Sequence, residues 1–225
     1  MRDVAVVIPA GGLGTRLGRG TPKQFLTLGR ASILATTVRH FARRRDVAAV
    51  VVAAPAAHVT RARRALAALA SRASLTVVTG GATRQESVAL GLQATPGVEV
   101  IVVHDAVRPF ITDELIDRVV AAARAAGAAV CALPITETVK RVRDGIVEAT
   151  VDRAGLWRVQ TPQAFRAGLL REAHGKARRD GVTGTDDAML VERLGVPVRV
   201  VEGLAANMKI TTPGDLARAR ARARR

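Results

Sequence analysis

The chain reads as an α/β protein, a doubly wound, mainly parallel sheet with a protruding β-hairpin arm. Three observations predict it. Short apolar runs alternate with longer amphipathic segments, the first apolar run empties into a glycine-rich turn, and a two-stranded pattern interrupts the alternation after Pro134. At 225 residues and 48% hydrophobic, the chain supplies one substantial core, and a single domain over 1–225 is the simplest reading.

Val4–Pro9 is an unbroken apolar run, as expected of a strand covered on both faces. Further strands are expected at Ala48–Ala54, Leu75–Val78, Val98–Val103 and Ala128–Leu133. Helices between them fall at Ser32–Arg44, Ala57–Ala70, Thr83–Gln93 and Thr112–Ala126, the last with Asp113 as its expected cap. Ligands of such sheets sit beyond the carboxyl ends of the strands, so chemistry is expected in the loops beginning at Ala10, Thr79 and His104. After Pro134, Thr136–Val142 alternates, Arg143-Asp144-Gly145 turns, and Ile146–Val151 returns: an arm over residues 135–155. An arm with open edges needs a cover, which predicts a homodimer. Helices at Arg166–Arg179 and Asp186–Leu194, a strand at Val198–Val201 and a helix from Pro213 complete the order.

The net charge is +16, from 35 basic and 19 acidic residues. Such an excess can mark a nucleic-acid binder. Aromatic residues make up only 2%, however, with no tyrosine, so no stacking platform for single strands is available. The arginines are spread along helical segments, and only Lys23, Lys140, Lys176 and Lys209 are lysines. Solvated helix faces account for most of this charge, and neither a nucleic-acid nor a membrane partner is expected. No apolar run is long enough to span a bilayer, and Met1-Arg2-Asp3 runs directly into a strand without a leader pattern. The lone cysteine, Cys131, lies in an apolar run as a small core residue. A cytoplasmic protein is expected.

The turn after the first strand, Ala10-Gly11-Gly12-Leu13-Gly14-Thr15-Arg16, can bring backbone N–H groups close to a phosphate. It is not a P-loop, because Lys23 sits between Pro22 and Gln24. It is not a dinucleotide fingerprint either. A match from Gly12 fails at Leu17, and the second strand ends without an acidic residue. Two cations accompany the glycines, Arg16 and Lys23, a combination suited to a triphosphate whose charge moves during reaction. Asp105 ends a buried strand beside this loop, where a lone carboxylate can hold Mg²⁺, the one cofactor expected. His104 has no neighbouring histidine or cysteine, so it reads as a packing or hydrogen-bonding ring. In Gly80-Gly81-Ala82-Thr83-Arg84-Gln85-Glu86-Ser87, the glycines permit backbone contacts to a base, with Ser87 placed to read its edge.

Together, Pro9-Ala10-Gly11-Gly12-x-Gly14-x-Arg16, Pro22-Lys23-Gln24-Phe25, Gly80-Gly81-x-x-Arg84-x-x-Ser87 and His104-Asp105-Ala106-Val107-Arg108-Pro109 form one pattern. It continues through Val151-Asp152-Arg153-x-Gly155-Leu156-Trp157, Thr161-Pro162-Gln163-x-Phe165, Thr185-Asp186-Asp187 and Asn207-Met208-Lys209-Ile210-Thr211. Over nearly its whole length the chain resembles the 2-C-methyl-D-erythritol 4-phosphate cytidylyltransferases of non-mevalonate isoprenoid synthesis. The resemblance implies a Rossmann-like nucleotidyltransferase fold and transfer of a cytidylyl group from CTP to methylerythritol 4-phosphate, releasing pyrophosphate. It implies that Arg16 and Lys23 stabilise the reacting α-phosphate, that Asp105 holds Mg²⁺, and that Arg153 and Lys209 act on the acceptor phosphate. By the same resemblance Ala10, Gly11, Gly12, Gly14, Gly81, Arg84, Ser87 and Ala106 contact CTP, while Arg108, Thr138 and Thr185 complete the acceptor pocket. The arm, with Thr138 and Arg153, would reach into a neighbouring subunit. Ala82 stands where some relatives carry an acidic residue. Ribitol-5-phosphate cytidylyltransferases share the first loop and the His-Asp-Ala-Val-Arg-Pro motif, and are the alternative.

Overall fold

The computed structural model describes residues 2–12 and 21–224. Its elements run β1 (Val4–Pro9), β2 (Thr27–Leu28), β3 (Ala31–Ser32), α1 (Ile33–Ala42), β4 (Val47–Ala54) and α2 (Val59–Ala67). Then follow β5 (Ser74–Thr79), α3 (Arg84–Gln93), β6 (Val100–Val103), α4 (Asp113–Ala126) and β7 (Ala128–Pro134). The arm is β8 (Val139–Arg143) and β9 (Ile146–Val151), after which come β10 (Trp157–Arg166), α5 (Ala167–Arg179), α6 (Asp187–Glu192), β11 (Arg199–Glu202) and α7 (Pro213–Arg222).

The main sheet has seven strands in the order β11-β7-β10-β6-β1-β4-β5. All pairings are parallel except those of β10, which runs antiparallel between β6 and β7. Side chains alternate across β1, as period two demands. Val4, Val6 and Ile8 enter one core with residues of α1, α2 and α4, while Val7 enters a second with residues of α3, α5 and α6. Both faces of β1 and β6 are therefore buried, which is why their sequences are continuous apolar runs rather than alternating ones. A third cluster, Leu26, Leu28, Ile33, Val107, Ile210, Leu216 and Ala219, packs α7 against the segments flanking the future site.

Among the described residues, side-chain caps start five of the seven α-helices, though not α2 or α5. Ser32 accepts from the Ala35 N–H, and Thr83 and Thr212 form capping boxes with Glu86 and Asp215. The cap of α4 is Thr112, not Asp113 as the sequence led us to expect; its hydroxyl accepts from Leu115 N–H. Asp113 is instead in the first turn, paired with Arg43 at 2.7 Å. Arg44 likewise meets Asp46 and Asp117, so part of the helical arginine excess is paired at the surface.

Strand β10 is absent from the sequence reading. Its run carries Gln160, Thr161, Pro162 and Gln163, and a proline argues against a central strand. The exception applies here: the register against β7 shifts between Val159 and Gln163, so Pro162 sits at an irregularity where no ladder bond is lost. The arm turns as expected through Asp144 and Gly145, both at positive φ (50° and 79°), the conformation of a two-residue hairpin turn. Val142, Ile146 and Val147 on the arm are exposed, Ile146 at 72%. Among the described residues no helix is long and apolar enough to cross a membrane.

Helix α3 approaches β1 closely because Gly91 has no side chain; a Cβ there would meet Val7 Cγ1 at 2.5 Å. Gly91→Ala should therefore destabilise the protein by about 1–3 kcal/mol through overpacking, although alanine is the better helix former. Urea denaturation checks this, and a stabilised variant would contradict the close contact.

Candidate active site

From β1 the chain winds outward to β4 and β5 on one side, while β6 lies on the other. That makes the carboxyl ends of β1 and β6 the switch point of the sheet, where a crevice must open. A cavity of about 260 Å³ lies there. The loop after β1 contributes Ala10, Gly11 and Gly12, the loop after β5 contributes Gly81, Ala82 and Thr83, and β6 leads to Asp105 and Ala106. Lys23, Arg84 and Lys209 bring cations to its wall.

The loops are fixed by backbone bonds to the end of β4. Ala10 N–H donates to Ala53 O and Gly80 N–H to Ala54 O, both at 2.8 Å. The buried Gln24 amide donates to Ala10 O at 2.6 Å, tying the first loop to the short turn that carries Lys23. Ser87 is 1% exposed and does not line the cavity. Its hydroxyl donates to Thr83 O at 2.9 Å and accepts from Gly81 N–H at 3.2 Å, so it braces the loop from beneath instead of presenting an edge.

Asp105 is the electrostatic centre. Its Oδ2 lies 2.9 Å from Lys209 Nζ and 3.4 Å from Arg108 Nε, and its Oδ1 lies 3.4 Å from Arg84 Nε. Burial alone would push this carboxyl up. The Lys209 ammonium and the Arg84 and Arg108 guanidinia overrule that and hold it well below the usual carboxylate range. It is ionised at neutral pH. The turns of residues 105–112 precede α4, so Asp105 caps no helix.

The backbone of Asp105 is held by Thr161, to which the sequence reading gave no role, together with His104. Asp105 N–H donates to Thr161 Oγ1 at 3.0 Å, and Thr161 in turn faces His104 Nδ1 at 3.1 Å. Since the hydroxyl accepts from Asp105, its hydrogen points to Nδ1, and His104 Nε2–H is left to donate to Arg108 O at 3.1 Å. His104 is thus the packing and hydrogen-bonding ring expected, tilted against Phe41. The Asn207 amide donates to Thr161 O, and the Asn207 backbone carbonyl accepts from Arg108 Nη1, both at 2.8 Å. The signal missed was the polar content of β10: Gln160, Thr161 and Gln163 are buried because they wire the site.

Of the other expected residues, Arg108 stands behind the cavity wall, and Thr138, Arg153 and Thr185 are exposed and outside the lining. Thr138 precedes β8 and Arg153 follows β9, at the base of the arm. Gly14 and Arg16 lie outside the described residues. Cys131 is buried, which pushes its thiol up to about 12, consistent with an inert core residue. Among the described residues no group of three or more His, Cys, Asp or Glu side chains could cage a metal, and Asp105 is the one carboxylate of the cavity wall. That donor set fits an ion that takes its remaining ligands from water and a bound phosphate chain, as Mg²⁺ does.

Glycine-loop amides, convergent cations and a single ionised carboxylate at the switch point of a doubly wound sheet make a site suited to a nucleotide's phosphate chain, the class of a nucleotidyltransferase. The comparisons with known proteins narrow the class. The sequence pattern of IspD, 2-C-methyl-D-erythritol 4-phosphate cytidylyltransferase, matches residues 4–225. A protein of that name from Geobacter metallireducens is 45% identical over 97% of this chain and 96% of its own length. One from Symbiobacterium thermophilum is 47% identical over 94% of this chain and 89% of its own. The crystal structure of the cytidylyltransferase from Thermus thermophilus superposes with a TM-score of 0.82 at 42% identity, over 99% of this chain and 100% of that one. The chain belongs to the 2-C-methyl-D-erythritol 4-phosphate cytidylyltransferase family and is an enzyme of the non-mevalonate isoprenoid route.

Burial holds His104 down at about 4, against an ordinary 6.5. Between those values the unfolded chain takes up a proton that the folded site refuses, so stability rises with pH from about 4 to 6.5 and is flat above, a change of about 3 kcal/mol from this group. Urea midpoints measured from pH 4.5 to 8 should rise in that sense, with His40, also held down by burial, adding to the rise, and His104→Gln should make it shallower. An unchanged slope in the variant would show that His104 does not govern it.

Proposed function

We infer that this enzyme takes CTP into the cavity and uses the 4-phosphate of methylerythritol as nucleophile at the α-phosphorus. A phosphate oxygen of the acceptor forms the new P–O bond, the α–β bond breaks, and pyrophosphate leaves, giving 4-diphosphocytidyl-2-C-methyl-D-erythritol. The observation that carries this reading is the convergence of the glycine loops, Lys23, Asp105 and Lys209 on one cavity. No side-chain nucleophile is required, so the protein's work is positioning and charge matching.

In this reading the backbone of Ala10, Gly11, Gly12, Gly81 and Ala106, with Arg84, receives the nucleotide. Lys23, together with Arg16 and Gly14 of the same loop, meets the α-phosphate, and Ser87 acts through the loop it braces. Lys209 faces the acceptor phosphate, and Arg108 contributes to that pocket from behind the cavity wall, through Asp105. Asp105 is the residue to hold Mg²⁺, which when bound neutralises triphosphate charge. Arg153, Thr138 and Thr185 complete the acceptor pocket, with the first two supplied by the arm of a second subunit. The homodimer is supported by the exposed Val142, Ile146 and Val147 on an arm that otherwise leaves apolar surface in water. We read residues 1–225 as one domain with 135–155 as the dimerisation arm, and the protein as cytoplasmic.

Pyrophosphate release with CTP and Mg²⁺ tests the reading. Turnover with methylerythritol 4-phosphate and none with ribitol 5-phosphate is expected, and the reverse would reassign the acceptor. In the same assay Arg153→Ala should raise KM for the acceptor at least roughly tenfold, as for loss of a charged hydrogen bond, and leave KM for CTP within about twofold. An effect confined to CTP would remove Arg153 from the acceptor pocket.

A further inference from the structure

Asp187, the first residue of α6, is 1% exposed, and each of its carboxylate oxygens has one side-chain partner. Oδ2 accepts from Arg84 Nη1 at 2.7 Å, and Oδ1 lies 2.9 Å from His174 Nε2. A carboxylate held below its ordinary range, as this one is, only accepts, so the hydrogen of the second bond is on His174 Nε2. His174 comes from the middle of α5, 6% exposed, beside Ala173 and Ala177. Its Nδ1 is buried and has no hydrogen-bond partner among the described residues. Asp187 is therefore the ring's sole polar engagement, and Arg84 is the other engagement of Asp187. From Arg84 the chain continues through Nε to Asp105 Oδ1.

We propose that His174 is a positioning residue for nucleotide binding: it fixes the rotamer of Asp187, which holds the Arg84 guanidinium at the cavity wall between two carboxylates. The inference rests on the reading of Arg84 as a CTP contact. Without the Nε2–H donor, Oδ1 becomes a buried unpaired acceptor. The carboxylate then relieves that loss by turning both oxygens to Arg84, an arrangement guanidinium forks favour. That turn draws Arg84 away from Asp105 and out of register with a bound phosphate chain. Simple space filling does not account for the arrangement, since an apolar residue would fill the same gap in α5 without burying an unpartnered Nδ1.

The test is CTP affinity by calorimetry together with steady-state kinetics. His174→Leu, which keeps bulk and removes the donor, should weaken CTP binding roughly tenfold and raise KM for CTP, leaving KM for the acceptor unchanged. His174→Gln, which offers an amide N–H near the same place, should recover most of the loss. In an Arg84→Met background, His174→Leu should have no further effect on CTP, because the two act on one path. If the leucine variant does not fold, His174→Asn, polar but too short to reach, takes its place with the same expectation. CTP binding unchanged in His174→Leu, no recovery with glutamine, or additive effects with Arg84→Met would overturn the proposal. Arg84→Met binding CTP as well as the parent would instead overturn the reading of Arg84 on which it rests.

Discussion

Everything in the site is arranged around one buried negative charge. Asp105 is carried to the end of a central strand by the apolar run of β6, where desolvation disfavours its ionised form. It stays ionised because Lys209 and Arg84 arrive from two other parts of the chain and Arg108 from the same turn. The dependence is mutual. Three cations crowded at one cavity would repel one another without the carboxylate, and the carboxylate would be costly to bury without them. The product is a cluster with a net positive balance, pre-formed to meet a more highly charged anion.

This arrangement explains why polar residues occupy a core strand. Thr161 and His104 fix the Asp105 backbone, Asn207 links β10 to the segment bearing Lys209, and Gln163 donates to Asp186 at 2.7 Å at the cap of α6. β10 is the antiparallel strand between β6 and β7, so it lies beside the strand that ends in Asp105. Its irregularity at Pro162 tolerates hydrogen-bonding side chains in the interior, where an ordinary strand of this sheet carries valine. Site and fold share the same residues.

The parallel half of the sheet was legible in the sequence because strands buried on both faces have no choice but to be apolar throughout, as in Val4–Pro9 and Val47–Ala54. Most helices were legible from amphipathic spacing, although α3 is barely amphipathic, and the arm from Asp144-Gly145 between alternating runs. β10 was not, because its polar residues answer to tertiary partners more than 20 residues away, Asp186, Leu204 and Asn207 among them. Strand order likewise placed the loops of Ala10, Gly81 and Asp105 at one cavity, while Lys209 came to it only through the family resemblance. Sequence spacing misjudged Ser87, whose position on α3 was plain but whose burial depends on how tightly the loop folds over it. It gave no role to His174, because a lone histidine on an alanine-rich helix has no local signature.

The central claim is that the charge of Asp105, not its volume, organises the site. Asp105→Asn keeps shape and size, removes the charge and turns one accepting oxygen into a donating amide. Turnover of CTP and acceptor at saturation, measured by pyrophosphate release with the melting temperature recorded alongside, is the most direct test. The account predicts a loss of about a hundredfold or more in kcat in a protein that still folds. A folded variant turning over within a few-fold of the parent would contradict it.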